Sequence, residues 1–592
     1  MASVRPATGA LYIGNSVPRQ GVDAFRDALA ALARPVFVVD QNGRPGVTDS
    51  GHAVLGSAPT DGTALPLIAH APALLPESLG SRTFREEYCV RYAVVSGEMA
   101  NGIASEEMVE AMANAGLLGF FGAAGLSPTR VEAALVRFAA NLAGRPYGCN
   151  LIHSPDDPAL ETAVVALYLK HGMRLASASA YLDLTLPIVR YRVAGIRQDA
   201  DGRIVTPNKV MAKVSRVEVA RKFLSPPPEA FLAILVAEKA ITEEQARLAA
   251  RIPMADDITA EADSGGHTDN RPLVLLLPAI QALRDEIVAR EKYTVAPRVG
   301  AAGGIATPAS VAAAFAMGAA YVMTGSVNQC TREAGTSDLV REMLSQAQTT
   351  DVAMAPAADM FEMGVKVQVL SRGTMFAVRA AKLYEWYRQY EGLDALPPAV
   401  KTELEAKYLR CPVGEAWEST RVFFAARDPR QNERAAVDPK HKMALVFRSY
   451  LGQSSRWANS GVADRRLDFQ IWCGPAMGAF NAWVAGSCLE RWEDRRVVPI
   501  TENLVAGAAV LTRLSALRTQ GVELPQELER FEPRDERGLA AMRIPAEPAP
   551  LTRSEAAAVG GRVEGLSASS TPNIRVGRSA DARREFQPCW SL

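Results

Sequence analysis

Short apolar runs alternate with amphipathic helical patterns from about residue 84 to 339. This alternation is typical of βα units, in which helices cover a parallel sheet. Eight runs have the length and composition of buried strands, and they span residues 92–95, 116–121, 146–151, 175–178, 210–214, 258–262, 298–301 and 320–324. Eight such units predict an α/β fold built on a closed (β/α)8 barrel, the TIM barrel.

The helices between these strands carry recognisable start signals. Ser105 precedes two glutamates, and Ser127 precedes a proline that suits the first position of a helix. Thr242 and Gln245 have the spacing of a capping box. They lie in a stretch from about 217 to 255 that is too long for one barrel helix, so we expect a helical insertion there.

The segments before and after the barrel differ from it in pattern. Residues 1–83 are rich in Gly, Pro and Ala and contain one strand candidate at 35–39, followed by the turn Asn42-Gly43. This predicts a small N-terminal accessory domain. The region 340–520 lacks regular strand patterns and has helical patterns rich in Tyr, Trp and Arg. It predicts an all-helical substrate-binding or cap domain over the barrel mouth. Residues 521–592 have the composition of a disordered tail.

Composition narrows the class of protein. The 592 residues contain 65 Lys plus Arg and 65 Asp plus Glu, so no global positive charge would attract nucleic acid or a membrane surface. No uninterrupted apolar stretch of about 18 residues and no secretory signal pattern are present. The seven cysteines are scattered without a C-x-x-C pair, which argues against a disulfide framework and a zinc site. We therefore expect a soluble, cytoplasmic protein with neither a nucleic-acid nor a membrane partner.

Two glycine-containing sites follow the last two predicted strands. Gly303-Gly304 precedes Thr307-Pro308, a good helix start, and Gly325-Ser326 ends the next strand. Glycines let backbone N–H groups approach a phosphate, and helix N-termini attract anions. The loops after strands seven and eight of a TIM barrel often form such a site. The spacing therefore predicts a phosphate cradle.

Further polar residues follow other strands, at the same barrel face. The predicted cofactor-binding residues are Ser96, Gly97, Glu98, Met99, Asn150, Lys213, Gly265, Gly266, Gly303, Gly304, Gly325 and Ser326. This set fits flavin mononucleotide (FMN), whose ring needs amide-like partners and a positive charge that Lys213 would supply. The alternatives are that Lys213 only reaches water, that Asn150 is a turn residue, and that Glu98 is a solvated acid.

His267 follows Gly265-Gly266, where the absence of side chains leaves space for a planar ring. We interpret it as a catalytic or flavin-adjacent residue, and a purely structural histidine is the alternative. The other histidines (52, 70, 153, 171 and 441) share no ligand spacing, so no metal site is predicted. We interpret Cys149 as a small buried apolar residue, and a redox thiol is the alternative.

Five segments together resemble one known family, and they span residues 95–102, 261–272, 300–305, 323–329 and 363–368. They are similar to the PfaD family, the trans-acting enoyl reductases of polyunsaturated fatty acid and polyketide synthases. These proteins are relatives of FabK-type enoyl reductases and nitronate monooxygenases. The resemblance covers roughly residues 20–520, and the tail beyond about 525 has no counterpart in it.

The resemblance implies an FMN-containing flavoprotein with a helical substrate domain, reduction by NADPH and an acyl carrier protein as partner. Such an oxidoreductase would reduce 2-enoyl thioesters in fatty acid or polyketide biosynthesis, with His267 as the proton donor or the group that polarises the carbonyl. Two alternatives stay open, a nitronate monooxygenase-like flavin oxidase and a non-catalytic flavoprotein that scaffolds a synthase. The oligomeric state is also open, and a homodimer is one option.

Arginines are frequent in the region after the barrel. The ones that suggest a basic surface for an acidic carrier protein are Arg448, Arg456, Arg465, Arg466, Arg491, Arg495 and Arg496. Solvated helix faces and internal ion pairs are the alternative interpretation for each of them.

Overall fold

The computed structural model describes residues 9–14, 16–55, 64–153 and 157–545. Its N-terminal part is a five-stranded antiparallel sheet, in the order β3-β2-β5-β1-β4, packed on one helix. The elements are β1 (Ala10–Ile13), α1 (Val22–Ala30), β2 (Val36–Gln41), β3 (Arg44–Thr48), β4 (His52–Leu55), β5 (Ala64–Ala71) and α2 (Arg82–Tyr88). The predicted strand and turn are found, since β2 and β3 form a hairpin in which Asn42 and Gly43 have φ values of 57° and 82°.

The central part is a closed barrel of eight parallel strands, which confirms the predicted TIM barrel. The chain passes through β6 (Val94–Ser96), α3 (Glu106–Asn114), β7 (Leu118–Phe121), α4 (Pro128–Asn141), β8 (Gly148–Ile152), α5 (Pro158–Lys170), β9 (Leu175–Ser179), α6 (Leu186–Val193), β10 (Arg197–Gln198), β11 (Ile204–Val205), β12 (Lys209–Val214), α7 (Val217–Leu224), α8 (Glu229–Ala237), α9 (Glu243–Ala249), β13 (Asp257–Glu261), β14 (Gly266–His267), α10 (Leu273–Glu291), β15 (Arg298–Ala302), α11 (Pro308–Ala316), β16 (Val322–Thr324) and α12 (Ser326–Gln329). The barrel order is β12-β13-β15-β16-β6-β7-β8-β9. Every predicted barrel strand overlaps an observed one.

The amino-terminal end of the barrel is closed by α2. Phe84 and Tyr88 of this helix are fully buried in a cluster with residues that line the barrel interior. Tyr88 donates its hydroxyl to Asp257 on β13, and Arg298 on β15 donates to the same carboxylate at 2.6 and 2.9 Å. The buried Asp257 carboxylate is therefore paired and hydrogen-bonded at the amino-terminal end of the barrel.

The region after the barrel is not entirely helical, contrary to the prediction. It contains α13 (Asp338–Ser345), β17 (Val352–Pro356), β18 (Lys366–Leu370), α14 (Phe376–Gln389), α15 (Pro398–Glu403), α16 (Val413–Arg427), α17 (Pro429–Val437), α18 (Pro439–Ser460), α19 (Ala476–Val484), α20 (Val497–Thr519) and α21 (Glu536–Ala541). The strands β14, β18 and β17 form a small antiparallel sheet, in that order. Two residues of the barrel loop, Gly266 and His267, are therefore part of a sheet built mainly from the region after the barrel.

Part of the predicted disordered tail is ordered. Residues 521–545 fold back onto the protein, where Trp483 donates to the carbonyl of Phe531 at 2.7 Å and Leu32 donates to that of Met542 at 2.8 Å. These contacts stabilise an irregular segment whose composition alone predicts disorder. The prediction for residues 546–592 lies outside the described residues.

The helix α20 is long and apolar enough to cross a membrane by composition, but it is a core helix. Within its 18-residue apolar window, 72% of the residues are buried inside the protein. Arg513 in this helix donates to the carbonyls of Leu29 at 2.8 Å and Arg34 at 2.7 Å, which ties α20 to the N-terminal part.

Five cysteines, at positions 149, 330, 411, 473 and 488, are free thiols.

The ion pair that closes the barrel generates a stability prediction. Asp257→Ala leaves the nearly buried guanidinium of Arg298 without its carboxylate, so we expect a loss of about 3–5 kcal/mol in stability. Glu86→Ala removes the exposed partner of Arg82 on the neighbouring α2 and should cost under about 1 kcal/mol. Urea denaturation followed by tryptophan fluorescence compares the two variants, and equal losses would contradict the structural role of Asp257.

Candidate active site

A lysine and two carboxylates meet at the carboxyl end of the barrel. Lys213 on β12 has its Nζ 3.1 Å from Oε1 of Glu98 and 3.2 Å from Oε1 of Glu261. The exposed fractions of these side chains are 16%, 2% and 14%. Glu98 follows β6 and Glu261 ends β13, so the lysine connects strand ends from two sides of the barrel. Two carboxylates and one ammonium leave a net negative charge at this point.

Burial and mutual attraction set the protonation of this cluster. Burial disfavours the ammonium, but the carboxylates of Glu261 and Glu98 outweigh it and raise the pKa of Lys213. Burial, reinforced by the charge of Glu98, raises the pKa of Glu261 in spite of the attraction of Lys213. Oε1 of Glu98 faces the Lys213 ammonium, whereas Oε2 is buried without a hydrogen-bond partner among the described residues. Buried acceptors without a hydrogen bond are rare in protein cores, so this oxygen favours the interpretation that a ligand binds here.

The two predicted glycine sites lie next to each other. The strands β15 and β16 pair through Ala302 and Met323, so the loops that follow them are neighbours. A Cβ on Gly303 would lie 2.6 Å from the carbonyl carbon of Ala262, which explains glycine there. A Cβ on Gly304 or Gly325 would meet no atom of the described chain within 4 Å. The backbone at these two positions therefore borders open space, which fits the cradle predicted for a phosphate.

One side of this cradle is formed by the segment between α18 and α19. The N–H of Gly474 donates to Ser326 Oγ at 3.2 Å. A Cβ on Gly265 would lie 2.9 Å from the backbone nitrogen of Cys473. Gly265 is therefore required for close approach of two backbones, and its role is to bring the His267 loop against the cradle.

His267 forms an ion pair with an aspartate that the sequence pattern did not single out. Its Nε2 is 3.1 Å from Oδ1 of Asp359, in the loop between β17 and β18. Burial opposes protonation, but the Asp359 carboxylate outweighs it, so the pKa of His267 is raised. Glu261 also favours the charged ring and Lys213 opposes it, which places all of these groups within electrostatic range of one another. With Nε2 facing Asp359, the Nδ1 edge makes no hydrogen bond to a described residue.

The loop that carries His267 is held by β18. Gln368 donates to Oδ1 of Asp263 and to the carbonyl of Ser264, both at 2.8 Å, and its own oxygen accepts from Asn270 at 3.1 Å. Gly266 has a φ of 83°, a value that favours glycine and turns the backbone into the pairing with Gln368. This buried amide fixes the orientation of the histidine loop.

The loop of Asp359 is in turn held by α18. Arg448 on this helix donates to the carbonyl of Ala358 at 3.0 Å and to Glu362 Oε1 at 3.2 Å. These two contacts flank Asp359 on both sides. His267 therefore depends on the helical region for the position of its carboxylate partner.

Three other predicted residues have different surroundings. Asn150 is buried in β8 and accepts from the hydroxyl of Ser179 at 2.9 Å, so it is a barrel residue and not a turn residue. Gly97 lies against Met323, because a Cβ on Gly97 would be 2.8 Å from the side chain of Met323. The carbonyl of Met99 accepts from the N–H of Ala104 at 3.1 Å. Neither of the last two contacts reaches the charged cluster.

The side chain of Ser96 points away from the barrel interior, so its role in cofactor binding stays a prediction that only its backbone could fulfil. Its hydroxyl accepts from Asn328 at 2.9 Å and lies 3.4 Å from the sulfur of Met108 on α3, outside the barrel wall. Side chains alternate along a strand, and Val95 faces the interior, so Ser96 must face the helices.

Three of the seven arginines predicted to form a basic surface are held by groups inside the protein, whereas Arg456, Arg466, Arg491 and Arg496 are exposed. Arg465 donates to the carbonyls of Tyr408 and Leu409 at 2.7 and 2.8 Å. Arg495 is 1% exposed and donates to the carbonyls of Leu489 and Glu490. Arg448 has the partners given above, and Arg491 pairs with Glu493.

Two family models match successive parts of the chain. A family model described as nitronate monooxygenase matches residues 82–388, more than half of the chain. A second model, described as the inserted helical domain of [acyl-carrier-protein] S-malonyltransferase, matches residues 390–469. The boundary between them falls at the end of α14.

Two curated relatives and one solved structure are similar over about three quarters of the chain. A component of the polyunsaturated fatty acid synthase of Thraustochytrium sp. is 47% identical over 74% of this chain and 30% of its own length. Polyketide biosynthesis protein PksE of Bacillus subtilis is 46% identical over 74% of this chain and 56% of its own length. The enoyl reductase domain of MlnA from Bacillus amyloliquefaciens is 42% identical, with a TM-score of 0.71, over 75% of this chain and 98% of that domain.

The chain thus spans about a third to about half of the curated relatives and nearly all of the solved domain. The family model and the match to nearly the whole of the solved domain together identify the family. The chain belongs to the nitronate monooxygenase family and, within it, to the PfaD-like enoyl reductases.

Proposed function

We propose that the protein is an FMN-dependent enoyl reductase that uses NADPH to reduce 2-enoyl thioesters presented by an acyl carrier protein. The observation that carries this proposal is the arrangement at one barrel mouth of an open glycine cradle, a buried charged cluster and a histidine with a raised pKa. The match to a solved enoyl reductase domain supports the reaction type.

The residues present fit a flavin mononucleotide. The backbone of Gly304 and Gly325 would hold the terminal phosphate, because both border open space at adjacent strand ends. Asn150 and the Glu98–Lys213–Glu261 cluster would face the ring from the barrel interior. Since Lys213 is already paired with two carboxylates, its charge is largely compensated, and it would orient these carboxylates more than it would stabilise an anion.

A bound FMN, once reduced by NADPH, would supply the hydride that adds to the β-carbon of the enoyl thioester. His267 has the complementary task of holding a proton near the thioester. With Asp359 bonded to Nε2, the protonated ring presents its Nδ1–H for donation. That donor would polarise the thioester carbonyl or deliver the proton to the α-carbon, and the saturated thioester is the product. Asp359 keeps the ring charged and fixes its orientation.

The partner is inferred from the relatives. Two of them are named as parts of polyunsaturated fatty acid and polyketide synthesis, in which chains are carried on protein-bound thiols. The helical region at 390–469 matches a domain that takes its name from an enzyme acting on the acyl carrier protein. Both observations favour a carrier-bound substrate over a free one.

The first test separates the two half-reactions and includes His267→Ala. Under anaerobic conditions, NADPH should bleach the flavin absorbance, and a 2-enoyl thioester should restore it. His267→Ala should leave the reduction by NADPH nearly unchanged while slowing the enoyl-dependent step by roughly 10²–10⁴-fold, because general acid catalysis is lost. Stopped-flow absorbance measures both steps. Flavin that is reoxidised by oxygen and nitronates but not by the enoyl thioester would favour the nitronate monooxygenase reaction.

The glycine cradle predicts the effect of a branched side chain. Gly304→Val places methyl groups where backbone must meet a phosphate, so the purified variant should be colourless. Gly172→Val is a matched control, since Gly172 also has a positive φ (64°, against 72° for Gly304) and open space around its Cα but lies at the other end of the barrel. It should suffer similar backbone strain and retain its FMN. Full flavin occupancy in Gly304→Val would overturn the assignment.

The pH dependence of the enoyl step follows from Asp359. The active form of His267 is the protonated one, so the rate should be high at low pH and fall as the pH rises through the raised pKa of the histidine. Asp359→Asn removes the carboxylate that raises this pKa, so the alkaline limb should move to lower pH. Profiles of kcat/KM for the wild type and the variant measure the shift, and identical limbs would exclude Asp359 from controlling His267.

A further inference from the structure

The second half of α16 exposes apolar side chains that the fold does not cover. Val422 and Phe423 are 57% and 40% exposed, and Ala425 and Ala426 are also at the surface. Phe423 packs edge-on against Phe424, with ring centroids 5.1 Å apart, so its orientation is fixed from within the helix. These four exposed residues, with the arginines that border them, are called the Phe423 patch below. Contiguous exposed apolar surface of this kind is typical of interaction sites.

Two arginines from different helices border the patch. The guanidinium carbons of Arg427 on α16 and Arg456 on α18 lie 5.7 and 5.8 Å from the centre of the Phe423 ring. Arg456 forms no ion pair with any residue in the described part of the chain. The helix that carries it, α18, contains no Asp or Glu at all. The patch therefore combines an apolar centre with positive charge, which calls for an acidic partner.

The patch lies beside the barrel mouth. Arg427 donates to Asp157 at 3.2 Å, and Asp157 caps the helix that follows β8. Ser455, the neighbour of Arg456, accepts from Asn101 at 3.1 Å in the loop after β6. The strand β8 carries Asn150, and the loop after β6 carries Glu98. The patch is thus anchored to the carboxyl ends of two strands that contribute to the candidate active site.

We propose that the Phe423 patch is the docking surface for the acyl carrier domain that delivers the thioester. The proposal rests on the carrier-bound substrate proposed above and adds the surface that recognises the carrier. An acidic domain that presents an apolar side chain among its carboxylates matches both properties of the patch. A substrate tethered to a domain docked there would enter the barrel from the side of β6 and β8, across the mouth from the small sheet that holds His267.

The aromatic and the basic residues of the patch would have different roles in docking. Phe423 would become buried on docking and hold the complex, as aromatic residues at the centre of interfaces do. Arg456, which has no ion-pair partner in the described part of the chain, would attract the acidic domain and raise its association rate, an effect that salt weakens. Neither residue contacts the charged cluster or His267, so their loss should not alter chemistry on a substrate without a carrier.

The test compares Phe423→Glu and Arg456→Glu with the matched control Arg145→Glu. Arg145 is an exposed arginine that precedes β8 and lies at the opposite end of the barrel. Binding is measured by fluorescence anisotropy with a labelled phosphopantetheine-bearing carrier domain of a polyunsaturated fatty acid synthase. Turnover is measured with crotonyl groups on this domain and on free pantetheine.

We expect Phe423→Glu and Arg456→Glu each to weaken carrier binding by about tenfold or more. Each variant should lower kcat/KM for the carrier-bound substrate by the same factor. In both variants, the turnover of crotonyl-pantetheine should stay within about twofold of the wild-type value. Arg145→Glu should leave the turnover of both substrates unchanged. Raising the salt from about 0.05 M to 0.5 M should reduce carrier binding by the wild type more than by Arg456→Glu.

Several results would overturn the docking surface. These are unchanged carrier binding in both variants, an equal loss with pantetheine, an equal loss in Arg145→Glu, or no carrier binding by the wild type. A change of oligomeric state in Phe423→Glu with carrier binding retained would instead assign the patch to a second copy of the chain. Failure of the enoyl reductase proposal is recognised separately, because the wild type would then turn over neither crotonyl substrate, whereas anisotropy would still report docking.

Discussion

The arrangement at the barrel mouth depends on the ammonium of Lys213, which lies between the carboxylates of Glu98 and Glu261. Each of the three charges would be costly to bury alone, and each carboxylate becomes tolerable because the ammonium lies about 3 Å away. The pairing ties the loop after β6 to β12 and β13, which fixes the width of the mouth on that side. Because the pairing leaves one negative charge in excess, the cluster favours protons and cations in its surroundings.

The histidine site uses this excess charge. Glu261 adds to the effect of Asp359 in favouring the protonated ring of His267, whereas the compensated Lys213 opposes it less than a free ammonium would. The negative cluster would repel a phosphate, whereas the proposed cradle at Gly304 and Gly325 would bind one through backbone N–H groups. In the proposed enzyme, the mouth would thus separate a region that favours protons from a region that binds the phosphate of the cofactor, and strand ends form both regions.

The barrel was predictable from sequence because each βα unit has a local signal: an apolar run, a cap and a helical period. The small sheet was not, because β14 has only two residues and its partner β18 lies about a hundred residues later. Asp359 was missed for the same reason, since nothing near it in sequence refers to a histidine 92 residues away. Gln368 did belong to a segment that resembles the family, but its role as an anchor of the histidine loop needs the fold. The direction of Ser96 was deducible in principle, because the apolar Val95 already occupies the inward position of a short strand.

The helical region is tied to the rest of the protein at two places, because its helix α18 contacts both the loop of Asp359 and the loop after β6. Arg448 holds the loop of Asp359, and Arg456 lies two turns further along the same helix, roughly 12 Å away. Ser455 ties that end of the helix to the loop after β6, which also carries Glu98. A rigid helix fixed at both ends cannot shift at one end without straining the contacts at the other. The position of the carboxylate that raises the pKa of His267 is therefore mechanically connected to the surface at which an acyl-carrying partner would bind.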